Sequence, residues 1–201
     1  CIAQVFKGKL KTDNTTKLID GNTKDGWTDV AVKVIHPHVE SMLKTDMELL
    51  SMAADLVDKI PSLHSLSLGD SARGFCKSMT DQIDMTLEAS NLILFRKNWK
   101  NEKWAKFPEP VPGLITKNVL VETLMEGESM EKFMSLKEID DKGKVDESVK
   151  KLKGKLSDMA ARSMIKMIFF DNFIHGDLHP GNVMVKIDER TGEPSLVFLD
   201  C

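Results

Sequence analysis

The spacing of apolar residues changes period several times along the chain. "CIAQVFKGKL" has strand character and runs into "KTDNTTKLIDGNTKDGWTD", a polar stretch with glycine and asparagine, before "VAVKVI" at Val30 to Ile35 turns strand-like again. The chain therefore opens with a predicted hairpin that has a long connection. Val39, Leu43, Met47, Leu50, Ala54, Val57 and Ile60 recur at three- and four-residue intervals, which predicts a helix stopping near Pro61. After Gly69, Asp70 can cap a second helix whose stripe runs Phe75, Met79, Ile83, Leu87 and Leu94 and whose end falls around Trp99.

"KFPEPVPGL" reads as a proline-punctuated connection and "KNVLVETL" as another strand. Residues 131–147 are charged and poor in apolar side chains, as a surface segment would be. Val149, Leu152, Leu156, Met159, Ser163, Met164, Met167 and Ile168 predict a long helix with one buried face, and the methionines on it read as core. "NVMVKI" and "SLVFLD" flank the turn residues of "DERTGEP" and predict a closing hairpin. This order fits an α+β protein with a small N-terminal lobe and a more helical C-terminal one.

Composition narrows the function classes. With 201 residues, 41% of them hydrophobic, the chain can bury a core, while a net charge of −3 and no block of like charge disfavour nucleic-acid binding. The three cysteines, Cys1, Cys76 and Cys201, are far apart and without CxxC spacing, which argues against a disulfide framework or a zinc site and for a reducing compartment. "MIKMIFFDNFI" is too short and interrupted to span a bilayer, and no targeting segment is visible at the start. A first residue other than Met and a last one inside an apolar run are expected of an excised segment.

The chemistry concentrates in "NFIHGDLHPGNVMV". Asp177 and Asn182 are five residues apart on a loop stiffened by Pro180 and relieved by Gly176 and Gly181, the HxDxxxxN spacing of a kinase catalytic loop. Phosphoryl transfer needs such oxygen-bearing side chains to place the acceptor and hold metal, together with a lysine for phosphate charge. Asp200 follows Asn182 by 18 residues across the predicted hairpin, where kinases keep a second metal ligand, and Lys33 lies on the predicted second strand. "HGD" alone is as readily a capped turn, and His175, Asp177 and His179 could in principle converge on zinc. Two carboxylates are candidates to pair with Lys33: Glu48 on the first helix and Glu88, inside "LEASN", on the second.

These strings carry a resemblance. "IAQVFKGKL", "VAVKVIHP", "QIDMTLEASNL", "KFPEPVPGLITKNVLVET", "KMIFFDNFIHGDLHPGNVMV" and "LVFLD" resemble the UbiB, or AarF-domain, family of atypical kinases, with "QID" and "KMIFFDNF" most like a mitochondrial branch. The resemblance implies a kinase-like two-lobe fold truncated at both ends, with an N-lobe at 1–124 and a partial C-lobe at 125–201. It implies that Glu88 is the partner of Lys33, that Lys33 contacts ATP phosphates, that Asp177 takes the catalytic position, and that Asn182 and Asp200 hold Mg2+. Ala3 and Gln4, in "IAQV", resemble the end of the family's Ala-rich loop over the phosphates, and Glu122 falls at the hinge that binds adenine.

Some residues depart from the family pattern. Gln82 stands where most members have a second Glu, Cys201 replaces the Phe of the DFG triplet, and "VLVETL" carries its Glu one position earlier than the usual "VLVMEW". Little consequence is expected of the last, because the hinge binds adenine through its backbone. The family's N-terminal KxGQ extension is absent from this chain. The implied function is an ATPase or phosphotransferase supporting mitochondrial ubiquinone biosynthesis or lipid metabolism. Its implied partners are ubiquinone-biosynthesis enzymes or lipid-like small molecules, with membrane association left to flanking sequence. A small-molecule phosphotransferase of the aminoglycoside or choline kinase type and a nucleotide-binding pseudokinase scaffold are the alternatives.

Overall fold

The computed structural model describes residues 2–11, 23–24, 26–60, 68–81, 83–138 and 146–200. Cys1, Gln82, Cys201, most of the connection at 12–25 and part of the charged segment, 139–145, lie outside the described residues. Strand β1, Ala3–Lys11, pairs antiparallel with β3, Trp27–Ile35, through nine residues, and the two-residue β2, Thr23–Lys24, pairs with the start of β3. The predicted opening hairpin is present, and its second strand begins three residues before Val30. Period-two alternation gives β3 two different faces. Val30 packs with Val111 and Val121 on one side, while Ile35 joins the main core on the other. Ala31 and Lys33 share the face of Ile35 and are buried.

Helix α1, Val39–Asp58, ends as predicted, but Ala54 is its one buried residue. The predicted second helix is two helices, α2 at Leu68–Asp81 and α3 at Met85–Asn98. Asp70 lies inside the first turn of α2 and does not cap it. The cap belongs to Asp84, whose extended backbone starts α3 afresh; its carboxylate accepts from the Thr86 N–H at 2.9 Å and the Thr86 hydroxyl at 2.6 Å. Met85 N–H donates to the Lys117 carbonyl at 3.0 Å and ties the new start to the first sheet. The predicted stripe holds only in part: Ile83 is buried in the main core and Met79 is half-buried. Strict four-residue steps drift around a helix of 3.6 residues per turn, and Phe75, Leu87 and Leu94 are exposed. Met85, Ala89, Leu92 and Phe95, with Trp99 just past the helix, form the buried face.

Two sheets result. The first runs β1-β3-β6-β5, with β5 at Pro110–Ile115 and β6 at Val119–Thr123. Part of the expected proline-rich connection is therefore a strand. It tolerates Pro110 and Pro112 because it is at the sheet edge and its register shifts around Gly113, whose φ is +80°. The second sheet runs β4-β9-β8-β7: Ala105–Lys106, Pro194–Phe198, Val183–Ile187 and Glu128–Ser129. β8 and β9 form the predicted closing hairpin, and β4 joins β9 in parallel.

The segment expected to be surface carries a short helix, α4 at Met130–Met134, with Phe133 buried. Helix α5, Glu147–Ile165, is capped by Asp146 and continues into a π-helical turn at Lys166–Phe170. Leu156, Ser163 and Met167 are buried on it, whereas Met164 and Ile168 are exposed, since each is one residue out of phase with a buried neighbour. Between the sheets an aromatic column joins the halves: Phe95 stacks on Phe107 at 5.0 Å, and Phe107 on Phe198 at 5.1 Å. Trp99 and Trp104 meet edge-on within this core. Replacing Asp84 with alanine should lower unfolding stability by about 1 kcal/mol, measured by urea denaturation, because α3 then starts with unsatisfied N–H groups.

Candidate active site

Strand β3 presents Lys33 to the main core, and three carboxylates converge on its ammonium. Glu88 Oε1, from the first turn of α3, is 2.5 Å from Lys33 Nζ; Glu122 Oε1, from β6, is 3.2 Å away; and Asp200, just after β9, makes a short ion pair with it. Glu48 makes no ion pair with Lys33 among the described residues, so the carboxylate question resolves to Glu88. Burial works to lower the Lys33 pKa, but Glu122, Glu88 and Asp200 together overcome it and hold the lysine charged, well above its ordinary range. Burial raises the Glu88 pKa against the pull of Lys33.

Glu122 was expected at the hinge with little consequence for its side chain. Instead its residue is 2% exposed and its Oε2 is buried without a hydrogen-bond partner. The reason is register: Glu122 pairs with Ala31 on β3, so its side chain lies on the same sheet face as Lys33. Burial pushes its pKa up to about 7 in spite of Lys33. A strand pattern alone does not disclose cross-strand register, so the third carboxylate could not have been found from spacing.

The catalytic-loop residues form a bonded turn beside this cluster. Asn182 Nδ2 donates to the Asp177 carbonyl at 3.0 Å, and His179 Nδ1 accepts from Gly181 N–H at 3.0 Å to cap a 3-10 turn at Pro180–Asn182. Buried His175 accepts from Asp177 N–H through Nδ1 at 3.3 Å, which leaves Nε2 to donate to the Leu199 carbonyl at 2.8 Å. Leu199 N–H in turn donates to the Asn182 carbonyl at 2.8 Å. The loop is thus tied to the residue immediately before Asp200. The Asp177 carboxylate is largely exposed. Both His175 nitrogens are taken, and no group of three or more His, Cys, Asp or Glu among the described residues could hold a metal, so the zinc arrangement is not formed.

A cleft of about 870 Å³ opens over Lys33, lined among others by Val5, Lys7, Ala31, Glu122 and Asp200. Ala3 and Gln4 are not loop residues here: they start β1, paired with Ile35 and Val34, and Ala3 packs against the core. The N–H groups of Thr123 and Leu124 donate to the Glu109 and Asp29 carbonyls, so any base in the cleft would have to be read by other backbone groups of this segment.

Comparison with known proteins decides the family. The model of the ABC1 atypical kinase-like domain matches residues 1–201. The chain belongs to the ABC1 family. A mitochondrial ABC1 family protein of Saccharomyces cerevisiae is 37% identical over 192 residues, covering 92% of this chain and 27% of the yeast protein. A probable protein kinase UbiB of Vibrio vulnificus is 28% identical over 201 residues, all of this chain and 32% of the bacterial one. The chain thus spans about a third or less of the length of these relatives. A solved complex of Rv3197 with erythromycin, from Mycobacterium tuberculosis, has the same fold: TM-score 0.62 at 23% identity, covering 86% of this chain and 39% of that one. The ABC1 chain is an α+β, kinase-like fold, as the resemblance implied. No helix among its described residues is long and apolar enough to cross a membrane.

The buried carboxyl at Glu122 has a consequence for stability. Its folded pKa lies above the ordinary glutamate value, so between about pH 4.5 and 7 the folded chain keeps a proton that the unfolded chain releases. Its contribution is full below that window and is lost as pH rises through it, by up to about 3 kcal/mol. Glu122→Gln should flatten this slope and be the more stable protein above pH 7, read from urea unfolding between pH 5 and 8.

Proposed function

We propose that this chain is the nucleotide-binding part of an ATP- and magnesium-dependent atypical kinase, acting as an ATPase or phosphotransferase. The observation that carries the reading is the buried Lys33 held by Glu88 and paired with Asp200, with the Asp177–Asn182 turn bonded to the residue before Asp200. Lys33 supplies charge for the α- and β-phosphates, and Glu88 keeps the ammonium extended into the cleft. Asp177, exposed at the mouth of its turn, faces the acceptor and takes its proton.

The donor set suits magnesium. Asn182 gives its amide N–H to Asp177, which leaves the amide oxygen as an acceptor, and with Asp200 it offers hard oxygen ligands that phosphate oxygens and water would complete. When bound, the ion neutralises phosphate charge. Asn182 and Asp200 are the residues to hold it. Names of relatives support the setting: one is called mitochondrial and another UbiB, in keeping with a mitochondrial role in ubiquinone biosynthesis or lipid metabolism alongside enzymes or lipid-like molecules of that pathway.

A second reading, a nucleotide-operated scaffold, draws on one feature. Asp200 is ion-paired with Lys33, so an Asp200 that held metal would have to leave that pair, which would give a two-state element. The test is ATP turnover and nucleotide affinity of the full-length protein with magnesium. Lys33→Ala and Asp200→Asn should each weaken ATP binding at least tenfold, and Asp177→Asn should keep binding while losing turnover by roughly 10²-fold or more. Unchanged affinity in both binding variants would overturn the nucleotide reading. Binding without turnover in wild type would favour the scaffold.

A further inference from the structure

Lys33 carries one positive charge and faces three carboxylates. Two of them have roles in the proposed site: Glu88 orients the lysine and Asp200 can turn outward to a metal, its side chain being half exposed. Glu122 has neither freedom. It sits in the middle of β6, paired with Ala31 on one side and Pro110 on the other, so its backbone is fixed. Its Oε1 is 3.2 Å from Lys33 Nζ and its Oε2 is enclosed without a partner. The charged groups acting on it are Lys33 from β3, Glu88 from α3 and Asp200 beyond β9; His175 acts on Glu88. Lys7 and Lys9 also line the cleft, but both are exposed on β1 and are not among the groups that shift Glu122.

We propose that Glu122 limits how much phosphate charge the cleft accepts, competing as a fixed third counter-ion for Lys33 and biasing the site toward less highly charged phosphate ligands. The inference rests on the nucleotide reading of the cleft and adds a selectivity to it. The physical ground is Coulombic. A phosphate brought to Lys33 must share one ammonium with a buried carboxylate that cannot leave, in a setting where charges are weakly screened. Each added phosphate charge meets more of that repulsion. An uncharged ligand meets none of it.

The prediction has an unusual sign: removing a residue that lines the cleft should improve binding. Affinities of the full-length protein for ATP, ADP and adenosine would be measured by titration calorimetry at pH 8.5, with and without magnesium, in wild type, Glu122→Gln and Glu122→Met. Burial holds Glu122 near pH 7, so at pH 8.5 it is ionised. Both variants should bind ATP about tenfold more tightly, ADP more tightly by a smaller factor, and adenosine as wild type does, with the largest gain when magnesium is absent. The methionine variant keeps the test open if the glutamine variant does not fold. Equal changes for all three ligands, or ATP binding that is unchanged or weaker in both variants, would overturn this inference while leaving the nucleotide site standing. Absence of binding for all three ligands in every protein would overturn the nucleotide reading and the selectivity with it.

Discussion

One buried ammonium organises this molecule. Lys33 is 5% exposed, and burying a charge is tolerated only when partners reach it. Those partners come from α3, β6 and the residue beyond β9, so the lysine is satisfied only after elements far apart in sequence have been assembled around β3. Stripped of all three, the ammonium would be an uncompensated buried charge. The start of α3 fits the same demand. The Asp84 cap starts α3 with Ala89 and Leu92 inward and Glu88 beside Lys33.

The loop is held by different means. His175 is buried against the ring of Phe95, and its two nitrogens connect Asp177 N–H to the Leu199 carbonyl. The imidazole therefore acts as a spacer whose tautomer is set by its bonds, and the aromatic column behind it fixes its depth. The column also explains how β4, a two-residue strand near the middle of the chain, comes to pair with β9: Phe107 follows it immediately and stacks on Phe198. The Lys33 cluster and the loop are then coupled through a short stretch, Phe198 to Asp200, with a bonded backbone at Leu199 and a left-handed Asp200 at φ +54°.

Much of this was legible in the sequence where one local signal sufficed. Period two disclosed β3 and the β8–β9 hairpin, period 3.6 disclosed α1 and α5, and the HxDxxxxN spacing located the loop. Legibility failed where two distant segments had to be put in register. Leu87 and Leu94 look like stripe residues until the Asp84 cap and the Lys117 carbonyl reset the helix, and "PEPVPGL" reads as a connection until the sheet edge it occupies is known. Glu88 was undecided between two candidates on spacing alone and needed the family resemblance. The burial of Glu122 was beyond either source, since it follows from a one-residue register between β6 and β3 that no local pattern records.

That register has a functional edge. A one-residue slip of β6 would turn Glu122 to the opposite sheet face and bring Val121 or Thr123 toward Lys33, giving a lysine with only two acid partners. The observed pairing instead leaves Lys33 with more negative charge around it than one ammonium can neutralise. Of the three acids Asp200 is half exposed, whereas Glu122 is enclosed in the middle of β6. A site built in this way separates two jobs among its carboxylates. On the proposed nucleotide reading, the exposed one would answer to metal, and the enclosed one would set the electrostatic level against which a phosphate has to compete.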